Sequence, residues 1–302
     1  MMNDFVISAS GVEKSYESFQ LGPLELNIEP GVVVAFVGPN GSGKTTLFHM
    51  LMDIIKPDRG EIQLLGNALG QDDVLVKRRI GYVPDLSYIE EASGRVEEVA
   101  QFHSHWYPSW SAEKWTDLSR KFELNPMTKV RTLSKGMKRR LAFSLAVAQM
   151  PELLILDEPS AGMDPFIWRT MLDEIREFAN TGERTVLIAT HTVEEVRRLA
   201  DYVAFLYKGR LLHYQEKDTM LDKWRMFWVE QQTASGLPGE VEREEGVLTR
   251  IVTRDAAVTE RALEEAGIAI VRRQAVELDE ILHYMMRASV KQTVEAGTKR
   301  GD

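Results

Sequence analysis

Gly38-Pro39-Asn40-Gly41-Ser42-Gly43-Lys44-Thr45 places three glycines, a lysine and a hydroxyl in the order G-x-x-x-x-G-K-[ST], after a β-branched run and before a helical pattern. Such a loop can wrap a chain of phosphates. Its glycines let successive backbone N–H groups, and the N-terminus of the helix that follows, face the same anion. Lys44 would pair with the terminal phosphates and the Thr45 hydroxyl would ligate Mg²⁺, with Thr46 carrying the loop into the helix. A second string, Leu153-Leu154-Ile155-Leu156-Asp157-Glu158, is apolar until it ends in two carboxylates. Opposite a phosphate loop, Asp157 would hold Mg²⁺ through its water shell and Glu158 would orient or deprotonate an attacking water. The bland readings are a glycine-rich surface turn and a strand that ends in solvated acids. Both lose weight when the two strings occur together in strand–turn–helix context.

Three further strings carry a resemblance. Leu133-Ser134-Lys135-Gly136-Met137 resembles the signature of ABC ATPases, usually written L-S-G-G-Q; Ser160-Ala161-Gly162-Met163-Asp164 is similar to their D-loop; and His191, in Ile188-Ala189-Thr190-His191, is similar to their switch histidine. Phosphate loop, signature and acidic strand in this order are specific to that superfamily, and the resemblance spans Phe5 to Tyr214, roughly 70 % of the chain. Within it, Trp106-Tyr107-Pro108-Ser109-Trp110 and the L-S-K-G-M signature resemble bacterial ATPases of the YtrB-like, ABC-2-associated kind. The resemblance implies an α/β P-loop NTPase core and hydrolysis of Mg-ATP to drive a separate transmembrane permease, with the chain on the cytoplasmic face of the membrane. It implies a composite site, too. Two cassettes, identical or related, pair head to tail, so that Ser134, Lys135, Gly136 and Met137 of one face the nucleotide held by Gly38 to Thr46 of the other. Asp164 would belong to the D-loop, His191 would contact the γ-phosphate, and Tyr16 would stack on adenine.

The departures matter as much. Asp85, in Gly81-Tyr82-Val83-Pro84-Asp85, stands where the family has glutamine. Shorter and charged, it could reach the metal through a water while repelling the γ-phosphate. Lys135 replaces a glycine and Met137 a glutamine. Met137, Leu141, Leu145 and Ala148 form a buried stripe at helical spacing, which leaves Lys138, Arg139 and Arg140 for a solvated face. His103 and His105, two residues apart, do not share a helix face, so they are read as ordinary residues and not as metal ligands.

The elements that must position these residues follow from pattern and composition. With 44 % apolar and 27 % charged residues, the 302-residue chain reads as globular, one large domain with an appendage. A net charge of −9 argues against a broad nucleic-acid surface, and no nucleic-acid partner is expected. The absence of cysteine excludes disulfides and thiolate-bound metals. No signal-peptide pattern opens the chain, and its apolar runs fall far short of the roughly 20 residues of a spanning helix.

Phe5 to Ala9 and Leu24 to Ile28 alternate as strands of an antiparallel layer, whereas Gly31 to Val37, Leu153 to Leu156, Thr185 to Ala189 and Tyr202 to Tyr207 are continuous enough for a parallel sheet buried on both faces. Helices are expected over Thr45 to Met52, Met137 to Gln149 and Phe166 to Ala179, and Arg210 to Tyr214 closes an edge hairpin. An ATPase domain over 1–216 would hold a helical insertion over about 86–150, whose aromatics between Phe102 and Trp115 form either a small core or a docking surface. A small α+β domain over 217–290 is expected to run from a helical stretch at Lys217 through a strand (Val247 to Val252), a helix (Asp255 to Ala266), a strand (Ile268 to Val271) and a helix (Glu277 to Met286), leaving 291–302 as a solvated tail. Two other readings stay open: a soluble ABC protein of translation or DNA repair, and a nucleotide-binding regulator without turnover.

Overall fold

The computed structural model describes residues 5–70, 73–85, 94–230 and 236–298, and divides the chain into two units, Met1–Tyr214 and Gln215–Asp302. The first begins with β1 (Ile7–Tyr16) and β2 (Phe19–Ile28), paired antiparallel with Ile7 opposite Ile28 and Tyr16 opposite Phe19. β3 (Val33–Val37) runs through the phosphate loop into α1 (Lys44–Leu51). β4 (Arg59–Leu64) and β5 (Asn67–Ala68) complete an antiparallel sheet of order β2-β1-β4-β5.

After α2 (Asp73–Lys77) and β6 (Ile80–Val83) come the helices α3 (Val96–Trp106), α4 (Ala112–Lys121) and α5 (Lys135–Ala148). Of the expected helical insertion, residues 86–93 lie outside the described residues. The chain then alternates β7 (Leu153–Asp157), α6 (Pro165–Ala179), β8 (Thr185–Thr190), α7 (Val193–Leu199) and β9 (Tyr202–Tyr207), and ends in the edge strand β10 (Arg210–Glu216). The larger sheet has the order β10-β9-β3-β8-β7-β6, and β9, β3, β8, β7 and β6 are mutually parallel.

The continuous apolar runs follow from two-sided burial. Successive side chains leave opposite faces of a strand. Leu154, Leu156, Val186 and Ile188 therefore enter one core with Leu141, Leu145 and Ile175 of α5 and α6, while Leu153, Ile155, Leu187 and Ala189 enter another with Ile7, Leu26, Ile62 and Phe48. The first core continues into the helices, where it takes in Trp115, Leu118 and Phe122. The aromatics of that segment divide: Trp115 is buried and Trp110 packs on the core, whereas Phe102 and Trp106 are exposed.

The second unit contains α8 (Lys217–Lys223), β11 (Arg225–Val229), β12 (Glu240–Glu244), β13 (Thr249–Thr253), α9 (Ala256–Glu265), β14 (Ile270–Ala275) and α10 (Leu278–Thr298). Its sheet has the order β12-β13-β11-β14, and Phe227, Val229, Ile251 and Leu263 form its core. Two expectations are corrected here. The stretch after Lys217 turns from helix to strand at Arg225, and α10 carries helical backbone to Thr298 where a tail was expected; residues 299–302 lie outside the described residues. Among the described residues, no helix is long and apolar enough to cross a membrane.

Candidate functional site

Parallel strands put their carboxyl ends on one edge, which is where open α/β sheets bind ligands. Val37 pairs in register with Thr190, Asp157 with Ala189 and Val83 with Leu156, so the loops leaving β3, β6, β7 and β8 converge. They enclose an open cleft of about 670 Å³, lined by Asn40 to Thr46, Asp85, Glu158, Ala161 and His191, with Ser18 and Phe19 on the side of the antiparallel sheet.

The phosphate loop needs its glycines. A Cβ on Gly38 would lie 2.1 Å from the Leu206 carbonyl oxygen, so only glycine fits that close approach of backbones. Gly43 has φ 110°, and its missing side chain leaves room for Leu21 and Phe19, whose nearest atoms would stand 2.7 and 3.0 Å from a Cβ. Lys44 is buried, and its Nζ donates to the carbonyl oxygens of Gly38 at 2.8 Å and Pro39 at 3.5 Å. Burial holds its pKa below the usual lysine value, while Glu158 and Asp157 act in the opposite direction. Thr45 is exposed toward the cleft, and the buried Ser42 hydroxyl has no hydrogen-bond partner.

Asp157, at the end of β7, is fully buried and neither carboxylate oxygen takes a well-formed hydrogen bond. Burial raises its pKa to about 6, a shift that the nearby Thr45 hydroxyl and Lys44 moderate and the charges of Asp85 and Glu158 reinforce. A buried, unpartnered carboxylate is costly. Next to a threonine hydroxyl it forms the hard oxygen donor set that Mg²⁺ prefers, so the residues present fit the metal.

Glu158 adopts φ 49°, a left-handed conformation unusual for a residue with a Cβ, and its N–H donates to the Ala189 carbonyl at 2.9 Å. Its carboxylate stands between two partners: Oε1 is 3.7 Å from Lys44 Nζ, and Oε2 is 2.7 Å from His191 Nδ1. With a carboxylate as acceptor, His191 must carry its proton on Nδ1, leaving Nε2 for another partner. Phosphate loop, acidic pair and histidine are thus brought together.

Other expected residues are placed elsewhere. Ser134 caps α5, its hydroxyl accepting from the Met137 N–H at 3.2 Å, and none of Ser134, Lys135, Gly136 and Met137 is among the residues lining the cleft. Asp164 caps α6, accepting from the Phe166 N–H at 2.8 Å, and also does not line it. Tyr16 is 45 % exposed and its ring centroid lies 6.4 Å from that of Phe19, the aromatic that does line the cleft. Asp85 lines the cleft, but Arg139 Nη2 donates to its Oδ1 at 2.7 Å.

Pattern reading passed over three residues. The face of Lys138, Arg139 and Arg140 is half-buried instead of solvated, and the Arg139 side chain is only 12 % exposed because it reaches across to Asp85. Phe19 lies within an alternating strand and gives no separate signal. Glu195, four residues past His191, is buried beside Ser160 and Thr190, and burial raises its pKa against the effect of those hydroxyls. A carboxylate on the inner face of an amphipathic helix is the signal that could have found it.

Residues 21–161 match the family described as ABC transporter. The Nod factor export ATP-binding protein I of Rhizobium sp. (strain N33) is 32 % identical over 216 residues, covering 70 % of this chain and 71 % of that protein. The daunorubicin resistance ATP-binding protein DrrA3 of Streptomyces coeruleorubidus is 33 % identical over 217 residues, covering 70 % and 68 %. A solved structure described as an ATP binding subunit of an ABC transporter superposes with TM-score 0.65 at 25 % identity, over 72 % of this chain and 92 % of that one.

Proposed function

This chain belongs to the ATP-binding proteins of ABC transporters, a family of ATPases, and from that premise we propose that it binds Mg-ATP in the cleft at the carboxyl edge of the larger sheet and hydrolyses it there. The observation that carries the reading is the Glu158 carboxylate, held between Lys44 and His191 directly beside the phosphate loop.

In this reading Asn40, Gly41 and Gly43 present backbone N–H groups to the phosphates, and Lys44 leaves the loop carbonyls to pair with the terminal phosphate. Glu158 takes the proton of the attacking water or orients it, and His191, fixed by its Nδ1 proton, turns Nε2 to the γ-phosphate. Thr45 and Asp157 would hold the metal, their hydroxyl and carboxylate oxygens lying side by side. Asp85 stands behind them with its charge matched by Arg139. Bound Mg²⁺ supplies charge neutralisation of the phosphate oxygens. Phe19, with Tyr16 beside it, offers the aromatic surface for the base.

The signature residues Ser134 to Met137 sit outside the chain's own cleft, at a helix N-terminus able to cap an anion. This supports a composite site in which they meet the nucleotide of a second cassette, with a separate permease as the other partner and the cytoplasmic membrane face as the place of work. The soluble reading in translation or repair is not favoured by relatives named for export and drug resistance. The test is steady-state ATPase activity of the purified protein with and without Mg²⁺, beside Lys44→Ala. Metal-dependent turnover lost in the variant is expected; equal turnover in both would sink the assignment.

A further inference from the structure

Arg139 and Asp85 are 54 residues apart in sequence and meet at the mouth of the cleft. Arg139 lies on α5, just over one turn past its Ser134 cap. Its Nη2 donates to the Asp85 carboxylate at 2.7 Å and to the Asp85 backbone carbonyl at 2.6 Å, while Nη1 donates to the carbonyl of Ala161. One guanidinium therefore grips two cleft-lining loops, the one that follows β6 and the one that follows β7. The planar fork of arginine suits this task; a lysine ammonium would keep the charge and lose the geometry.

The electrostatics explain why the pair is needed. Asp157 and Glu158 already crowd two carboxylates around the cleft, and Asp85 adds a third whose charge acts on both Asp157 and Tyr82. Left unpaired, that third charge would oppose a polyphosphate directly. We infer that Arg139 is a positioning residue of the ATP site, which neutralises Asp85 and ties it, together with the Ala161 loop, to the helix that carries the signature. Asp85 is tolerated in this chain because Arg139 pairs with it. The inference rests on the reading of the cleft as an ATP site.

The decisive measurement is a double-mutant cycle read as KM for Mg-ATP, kcat and direct binding of a fluorescent ATP analogue. On the wild-type background Arg139→Ala should raise KM and the analogue's Kd by about tenfold or more, because it bares the Asp85 charge. On the Asp85→Gln background the same change should cost less than about threefold, since no charge remains to be bared. Arg139→Lys should fall between wild type and Arg139→Ala. Thermal melting of each variant separates unfolding from a local effect, and if Arg139→Ala does not fold, the same comparison is made with Arg139→Gln, which also removes the charge, on both backgrounds. Equal losses on the two backgrounds would overturn the inference while leaving the ATP site standing. A wild-type protein that binds no Mg-ATP would overturn the site assignment and the inference with it.

Discussion

At the scale of the residue, Glu158 and Asp157 are adjacent in sequence yet differ in environment. Glu158 has two polar partners, and its carboxylate is placed to receive a proton. Glu158→Gln keeps shape and volume but cannot accept that proton, so it should bind ATP and lose at least about a hundredfold in kcat, read in a steady-state assay. Asp157 has no comparable partner, and its raised pKa turns burial into a stability cost. The folded chain binds the proton more tightly than the unfolded chain, so the penalty is smallest below the unfolded pKa near 3.8 and complete once pH has risen through about 6. In metal-free protein Asp157→Asn should therefore stabilise at pH 8 by on the order of 2 kcal/mol, and the gain should shrink toward pH 5. Melting curves at the two pH values check it. A gain that is the same at both would mean that charge burial is not its cause.

At the scale of the element, the helical segment is joined to the core by charge as well as by packing. Glu174 on α6 is 3 % exposed and accepts from Lys114 at 2.8 Å and Lys121 at 2.5 Å, both on α4. The lysines keep part of their hydration, which lowers the value of the pair below that of a fully buried one. Glu174→Gln should cost about 1–2 kcal/mol, less than the roughly 3–5 of a fully buried ion pair broken on one side. Chemical denaturation would measure it; an unchanged midpoint would show that packing alone holds α4 on α6. Trp115 and Leu118 of α4 and Leu172 and Ile175 of α6 also lie in one apolar core, so the variant should still fold.

At the scale of the whole molecule, the two units have separate cores, and the residues lining the cleft all belong to the first. A chain ending at Gln215 should fold and bind the fluorescent ATP analogue with the affinity of the full chain to within about threefold. A folded truncation that has lost binding would assign the second unit a part in the site. The composite-site reading makes a separate demand. With ATP present, Glu158→Gln should elute as a dimer on size-exclusion chromatography while its nucleotide-free form does not; a monomer under both conditions would count against a signature that serves a second cassette.

The strings that line the proposed site are recognisable in the sequence because each is local. A glycine-rich turn between strand and helix, or a strand that ends in Asp157-Glu158, is defined by a few consecutive residues whose backbone conformation follows from their types. Two-sided burial likewise left its mark on β3, β7 and β8 as unbroken apolar runs. What escaped was set by contacts between distant segments. β12, Glu-Val-Glu-Arg-Glu, carries no apolar alternation, since it is an edge strand held by its ladder to β13 and by ion pairs such as Arg250 with Glu242 and Glu244. β11 gives no signal separate from the preceding helix, because its four-residue apolar run, Met226 to Val229, has no period long enough to tell strand from helix. The partner of Asp85 could not be read at all. Three successive cations on α5 look alike in sequence, and only the packing of α5 against the loops after β6 and β7 turns Arg139 toward the cleft, where its guanidinium reaches a carboxylate from a different part of the chain.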